Sequence, residues 1–217
     1  MASSIKTIIF DIGGVITQAD FSAIYSGFAQ RIGILPQIVI DYHNVNFDDL
    51  LLGNITMKQF GDAMKDAGGN SNLDYGKIWV EEALKERKIN LGLLKYIAKL
   101  RKKYRVGTLT NLTSARELVD RETGIYSHFD YAILSCEEHL KKPDPAFYRL
   151  ALERASATPE EAIFVDDQEK YLAAAENIGI RGVRYGEVRN SRLSEVFGES
   201  ANIQLFRDFE KLGISVD

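Results

Sequence analysis

The sequence has one cysteine, four prolines and one tryptophan among 217 residues, and no apolar run long enough to span a bilayer. A single thiol cannot form an internal disulfide, so a disulfide scaffold is excluded and a reducing compartment is expected. Charge of either sign is not in large excess, since 27 Lys and Arg against 31 Asp and Glu give a net charge of −4. We therefore expect a cytoplasmic globular protein that binds neither nucleic acid nor membranes. The oligomeric state stays unknown at this stage.

Short β-branched apolar runs recur along the chain and are separated by helical patterns. Such runs are typical of strands buried on both faces of a parallel sheet. Strands that alternate with helices predict right-handed crossovers and a doubly wound, Rossmann-like α/β sheet. The predicted strands cover residues 5–10, 105–110, 131–135, 162–165 and 182–185.

Two helix starts carry clear capping signals. Ser114, with Glu117 three residues later, has the pattern of a capping box. Asp144 precedes a proline at the first helical position, which predicts a helix over residues 146–155. A further helix is expected over residues 168–177, and the region after Ser191 is expected to be helical and to pack back onto the sheet.

Residues 17–87 interrupt the alternation, because this stretch has helical patterns and no convincing buried strand. The helical segments lie at residues 21–32, 36–46, 57–67 and 75–87. The simplest arrangement is a helical cap inserted after the first strand, over the carboxyl edge of the sheet. We expect residues 1–16 and 88–217 to form the α/β core and residues 17–87 to form the cap.

Polar side chains follow the ends of three predicted strands, where open α/β sheets bind their ligands. Carboxylates, phosphate and water supply the oxygen ligands that Mg²⁺ prefers, and a lysine supplies a point charge for phosphate oxygens. This combination predicts a phosphate held beside Mg²⁺, and a carboxylate that attacks phosphorus. The candidate residues are Asp11, Thr110, Asn111, Lys142, Asp166 and Asp167.

Four strings, in order along residues 5–185, resemble the motifs of the haloacid dehalogenase-like hydrolase superfamily. They are FDIGGV at residues 10–15, LTN at 109–111, KPDP at 142–145 and FVDD at 164–167. GNIT at residues 53–56, followed by Phe60, resembles the cap of phosphatases of that family. The resemblance implies Mg²⁺-dependent hydrolysis of a small phosphorylated metabolite.

The resemblance also implies a role for each matched residue. Asp11 is the expected nucleophile, and Thr110 and Lys142 are the other expected catalytic residues. The expected phosphate-binding residues are Gly13, Gly14, Thr110, Asn111 and Lys142. Mg²⁺ is expected to bind Asp11, the backbone carbonyl of Gly13, Asp166 and Asp167.

Two positions depart from the family pattern, and two other functions stay open. Most phosphatases of the family carry, at the position of Gly13, an Asp that protonates the leaving group, and many carry Asp or Asn at the position of Tyr171. A phosphatase-like protein that binds without turnover is therefore one alternative. A 2-haloacid dehalogenase is another, although the pair Asp166 and Asp167 favours an enzyme that uses a cation. The substrate itself is not predicted by the sequence.

Overall fold

The computed structural model describes residues 4–186 and 197–216. Among its helices, none has the length and apolar character needed to cross a bilayer. In chain order the elements are β1 (Thr7–Phe10), β2 (Thr17–Gln18), α1 (Phe21–Ile32), α2 (Pro36–Val45), α3 (Phe47–Leu51), α4 (Met57–Asp66), α5 (Tyr75–Glu86), β3 (Lys88–Ile89), α6 (Leu91–Leu100), β4 (Arg105–Thr110), α7 (Ser114–Glu122), β5 (Tyr131–Leu134), α8 (Ser135–Glu138), α9 (Pro145–Ala155), β6 (Ala162–Asp166), α10 (Glu169–Glu176), β7 (Arg181–Arg184) and α11 (Glu199–Lys211).

Five of the strands form one parallel sheet in the spatial order β5-β4-β1-β6-β7. The chain places β4 and β5 on one side of β1 and then β6 and β7 on the other, so the doubly wound prediction is confirmed. The strand order reverses around β1. The carboxyl ends of β1, β4 and β6 therefore lie side by side at the crevice where such sheets bind ligands.

Successive residues of β1 face two different hydrophobic cores. Ile8 and Phe10 pack in a core that includes residues of α6 and α11, whereas Ile9 packs in a core that includes residues of α9 and α10. The side chains of a strand alternate between its two faces, which explains this division. The sheet is consequently buried on both faces, as its β-branched composition predicts.

The helices α1 to α5, residues 21–86, form a helical insert with a hydrophobic core of its own. Its centre is aromatic: the Phe28 ring lies 5.3 Å from that of Trp79 and 5.7 Å from that of Phe60, measured between centroids. Ala115 and Val119 of α7 belong to the same core. The insert therefore packs directly on the first helix that follows β4.

The two segments that connect the insert to the sheet pair with each other. β2 pairs with β3 in an antiparallel ribbon, with Thr17 opposite Ile89. Beside the ribbon, the buried Arg87 forms an ion pair with the buried Asp120 of α7, whose second carboxylate oxygen accepts a hydrogen bond from Tyr126 (3.0 Å). The ribbon and the ion pair together fix where the insert begins and ends.

Most predicted elements agree with the structure, and the exceptions are local. The bounds of α1 and β4 are those predicted, and Asp144 caps α9 by accepting a hydrogen bond from the Ala146 amide (2.8 Å). The capping box at Ser114 is wrong, because Thr113 is the N-cap and its hydroxyl accepts from the Arg116 amide (3.3 Å). The sequence did not predict β2, β3, α3, α6 or α8.

The carboxyl-terminal prediction is confirmed where the structure describes it. α11 packs back onto the sheet, with the Phe209 ring 6.4 Å from that of Phe10. Part of the region expected to be helical, residues 192–196, lies outside the described residues.

A second contact between insert and sheet layer lies at the turn after α3. Gly53 has a positive φ of 70° and packs against the backbone of α8, so closely that a Cβ there would overlap the carbonyl oxygen of Cys136. Next to it, Nδ1 of His139 is 2.7 Å from the carbonyl oxygen of Leu52. The absence of a side chain at residue 53 permits this approach.

We predict that Gly53→Ala destabilises the protein more than Gly33→Ala does. Both glycines have positive φ (70° and 84°), but a Cβ at Gly33 would meet nothing within 4 Å. The strained backbone costs about 1 kcal/mol in both variants, and the overlap with Cys136 adds about 1–3 kcal/mol in Gly53→Ala alone. Urea unfolding of the two variants measures the difference, and equal losses would contradict the close packing.

Candidate active site

The loop after β1 brings backbone and carboxylate groups close together. Asp11 is buried directly after the strand, and its amide donates a hydrogen bond to the carbonyl of Val165 on β6 (2.9 Å). Gly14 has a φ of 83°, and a Cβ on it would lie 2.8 Å from the carboxylate of Asp167. A glycine here therefore lets the loop approach the end of β6 closely.

Three carboxylates meet at the carboxyl edge of the sheet. One oxygen each from Asp11, Asp166 and Asp167 can be chosen so that all three lie within 4.8 Å of one another. They come from the ends of the neighbouring strands β1 and β6, which run parallel and in register. The topology thus produces the acidic cluster that the two sequence strings predict.

Lys142 places its ammonium between two of these carboxylates. Its Nζ is 3.0 Å from Oδ1 of Asp11 and 2.6 Å from Oδ2 of Asp166, and the residue is 2% exposed. Burial by itself lowers the pKa of a lysine, but the charges of Asp11 and Asp166 outweigh burial and raise the pKa of Lys142 above its usual value. The lysine is therefore charged at neutral pH.

Asp166 is held on both of its oxygens. Oδ2 accepts from Lys142, and Oδ1 accepts from the amide of Gln168 (2.8 Å). Burial raises the pKa of Asp166 to about 7, against the opposing effect of the Lys142 charge. With both oxygens engaged, Asp166 is well placed to orient the lysine.

Thr110 and Asn111 follow the end of β4 and take different parts in the site. The Thr110 hydroxyl is buried and has no hydrogen-bond partner within the described part of the chain. The Asn111 side chain accepts from the Lys142 amide (2.8 Å) and donates to the Lys142 carbonyl (2.9 Å). Asn111 therefore fixes the backbone of the lysine, and the Thr110 hydroxyl is left for a ligand.

Tyr171 packs beside the lysine. Its ring centroid lies 4.7 Å from Nζ of Lys142, and its hydroxyl is 3.4 Å from Nδ2 of Asn111. The hydroxyl of Tyr148 donates to the backbone carbonyl of Tyr171 (2.9 Å). Tyr171 thus contributes an aromatic face to the ammonium, at a position where the family often has a carboxylate or an amide.

A cavity of about 370 Å³ opens above these groups. Asp11, Lys142 and Asp167 line its polar end, and the insert supplies an apolar wall. A volume of this size suits a small metabolite. The residues of the apolar wall are Phe21, Ile24, Phe47, Leu51, Trp79 and Ala83.

Every candidate site residue of the sequence lies at or beside this edge of the sheet. Asp11, Gly13, Gly14, Asn111, Lys142 and Asp167 line the cavity, and Thr110 and Asp166 lie directly behind it at the strand ends. Among the cavity residues that the sequence did not identify is Arg116, whose guanidinium fills the space next to Gly13. Its position in the first turn of α7, the helix that follows β4, is the sequence feature that could have identified it as a site residue.

The acidic cluster has the chemistry of a site for a hard divalent cation. With all three carboxylates ionised, Asp11, Asp166 and Asp167 contribute −3 and Lys142 contributes +1, which leaves −2. An excess of buried negative charge is costly unless a cation offsets it. Carboxylate oxygens are also the donors that Mg²⁺ and similar ions prefer.

Comparison with known proteins identifies the family. A family model described as haloacid dehalogenase-like hydrolase matches residues 5–179. The chain therefore belongs to the haloacid dehalogenase-like hydrolases, as the four sequence strings indicate.

Two curated relatives align with most of the chain. Over 197 residues it is 25% identical to bifunctional epoxide hydrolase 2 of Sus scrofa; the match covers 82% of this chain but 36% of that protein. Over 190 residues it is 25% identical to D-ribitol-5-phosphate phosphatase of Bacteroides thetaiotaomicron, covering 81% of this chain and 89% of that protein. The chain thus spans about a third of the first relative's length and most of the second's.

A solved structure shows the same architecture. A haloacid dehalogenase family enzyme of Bacteroides thetaiotaomicron, crystallised as a magnesium complex, superposes with a TM-score of 0.70. The two chains are 25% identical, and the match covers 88% of this chain and 98% of that one.

We predict that Asn111→Ala lowers the free energy of unfolding by about 1–3 kcal/mol, because it leaves the amide and carbonyl of buried Lys142 without their partners. Urea unfolding measures the loss. Asn72→Ala is the matched control, since Asn72 is exposed and distant from the cavity lining. A loss in Asn111→Ala no larger than that of the control would contradict the role given to Asn111.

Proposed function

We propose that this protein is a Mg²⁺-dependent phosphatase that hydrolyses phosphate monoesters of small metabolites through an aspartyl-phosphate on Asp11. The observation that carries the proposal is the Lys142 ammonium, which lies between Asp11 and Asp166 at the sheet edge. A relative named as a sugar-alcohol phosphate phosphatase and a family member crystallised with magnesium support it. The cavity accommodates a small molecule.

Asp11 is the nucleophile in this proposal. One carboxylate oxygen attacks phosphorus, the bond from phosphorus to the ester oxygen breaks, and the leaving oxygen takes a proton from water because residue 13 has no side chain. A second water then attacks phosphorus, and the bond from phosphorus to the Asp11 oxygen breaks, which releases phosphate and restores the carboxylate. The proton lost by this water neutralises the hydroxide left by the first step. Lys142 offsets negative charge beside Asp11 throughout, and the buried hydroxyl of Thr110 donates to a phosphoryl oxygen.

The metal site of the proposal consists of Asp11, Asp167 and the backbone carbonyl of Gly13, with Asp166 beside them. Asp166 is engaged with Lys142 and Gln168 on its two oxygens, so we assign it chiefly to orientation. Mg²⁺, when bound there, offsets the negative charge of the phosphoryl oxygens. The backbone amides of Gly13 and Asn111 are proposed to orient those oxygens. The Gly14 amide already donates to the carbonyl of Thr17 (2.8 Å), so the phosphate-binding role expected for it does not hold.

We also propose that residues 17–87 act as a cap and that residues 1–16 and 88–217 form the catalytic core. The insert supplies the apolar wall of the cavity, and the sheet supplies its charged end. A cap in this position excludes water from the phosphoryl group and selects the organic part of the substrate.

The acidic cluster disfavours the alternative of a 2-haloacid dehalogenase. A dehalogenase of this family is expected to attack carbon without a metal, whereas three carboxylates that can meet within 4.8 Å favour a bound cation. The cluster instead favours a substrate that arrives where a divalent cation also binds.

We predict that phosphate release from a panel of phosphate monoesters depends on both Mg²⁺ and Asp11. Asp11→Asn removes the nucleophile and is expected to lower the rate by at least about a thousandfold, whereas chelation of Mg²⁺ abolishes release by the unchanged protein. Asp66→Asn is the matched control, because Asp66 is exposed at the end of α4. Release by Asp11→Asn at the rate of the control would contradict the mechanism, and no release on any ester would favour a binding protein.

We predict that Mg²⁺ raises the melting temperature of the protein by binding the acidic cluster. An ion at a hundred times its dissociation constant stabilises the folded state by about 2.7 kcal/mol. Asp167→Asn is expected to abolish most of the shift, and Asp66→Asn is expected to keep it. Thermal unfolding with Mg²⁺ and with chelator measures the effect independently of turnover, and an equal shift in both variants would place the ion elsewhere.

A further inference from the structure

Arg116 occupies the space that a side chain at residue 13 would fill. It is the third residue of α7, and the Thr113 cap fixes its backbone at the edge of the cavity. A Cβ added to Gly13 would lie 2.7 Å from Nη2 and 2.9 Å from Nη1 of Arg116. The guanidinium therefore lies against the loop that carries Asp11.

The charge of Arg116 is not neutralised within the described residues. Its guanidinium donates one hydrogen bond, to the hydroxyl of Thr17 (3.3 Å), and lies 5.9 Å from the centroid of the Phe21 ring. It forms no ion pair with any described carboxylate. Arg87 lines the same cavity but pairs with the buried Asp120. Arg116 thus offers the cavity a positive charge that Arg87 does not.

A guanidinium binds anions but does not donate protons at neutral pH, since it stays charged throughout the physiological pH range. Its planar fork matches the two oxygens of a carboxylate. Arg116 consequently cannot replace an acid at residue 13, and its chemistry is that of an anion receptor.

Arg116 and Asp167 lie against consecutive residues of the loop after β1, and both line the cavity. A Cβ on Gly13 would meet Arg116, and a Cβ on its neighbour Gly14 would meet the carboxylate of Asp167. Consecutive Cα atoms are about 3.8 Å apart. An anion bound to Arg116 and a phosphate ester held beside Asp167 would therefore share one cavity, on adjacent residues of the same loop.

We infer that Arg116 is a specificity residue for phosphate monoesters whose leaving group carries a carboxylate one or two carbons from the ester oxygen. This inference rests on the proposed phosphatase function and names its substrate class. The carboxylate of the substrate pairs with the guanidinium, while the apolar wall of the insert covers the carbon atoms between.

Three esters of similar size test the charge preference, because they differ mainly in the substituent next to the ester. They are 2-phosphoglycolate, 2-hydroxyethyl phosphate and phosphoethanolamine, whose leaving groups are anionic, neutral and cationic. We expect kcat/KM to fall in that order, with at least about a tenfold step from the first to the second.

Arg116→Gln removes the charge and keeps a long polar side chain. We expect it to reduce the preference in kcat/KM for 2-phosphoglycolate to about twofold or less. Arg149→Gln is the matched control, because Arg149 is exposed on α9 and lies outside the cavity lining. Gly13→Asp gives a second test that leaves Arg116 in place. The new carboxylate pairs with the guanidinium, so this variant should also lose the preference.

A measurement of phosphonate binding tests the inference independently of turnover. Phosphonoacetate, a phosphonate with a carboxylate, should bind the unchanged protein with Mg²⁺ at least about tenfold more tightly than ethylphosphonate, and Arg116→Gln should erase this difference. Hydrolysis of none of the esters would overturn the proposed phosphatase, while the binding difference would still support the Arg116 site. Equal kcat/KM for all three esters, or an equal loss on all three in Arg116→Gln, would overturn the carboxylate assignment.

Discussion

The site depends on one buried ammonium. Parallel pairing brings the ends of β1 and β6 together, and with them Asp11, Asp166 and Asp167, whose mutual repulsion opposes folding. Lys142 offsets part of that repulsion because it reaches two of the three carboxylates. Its own burial is tolerable for the same reason, since removing either partner from a buried pair costs about 3–5 kcal/mol. The lysine and the acids therefore require each other.

The position of the lysine follows from neutral groups around it. Asn111 holds its backbone with two hydrogen bonds, and Tyr171 covers its ammonium with an aromatic face. These contacts connect the end of β4 and the first turn of α10 to the loop before α9. The charged half of the cavity is thus built by the sheet and its loops, whereas the apolar half comes from the insert. Under the proposed function, the sheet and its loops carry the chemistry, and the insert supplies apolar contacts with the substrate.

The sequence predicts what depends on local patterns and misses what depends on distant contacts. Buried β-branched runs locate β4 to the residue, and the polar residues after each strand identify the acidic cluster. The two-residue strands β2 and β3 have no pattern of their own, since each exists by pairing with the other. At α7 the choice between the adjacent hydroxyls of Thr113 and Ser114 depends on where the chain leaves β4. Arg116 was missed because its place is defined by Gly13, which is distant in sequence.

The absence of a side chain at Gly13 is better understood together with the guanidinium of Arg116, which lies in that space, than as the loss of an acid alone. An Asp at this position would place a negative charge there. Here the guanidinium of Arg116 occupies that space, so the charge beside the loop is positive. A positioned acid is worth about two to four powers of ten in rate. A hydrogen bond to a charged group contributes about 1.5–3 kcal/mol, or one to two powers of ten. In the proposed substrate class, pairing of Arg116 with an anionic leaving group would raise kcat/KM by up to that factor, and only for substrates that carry that anion.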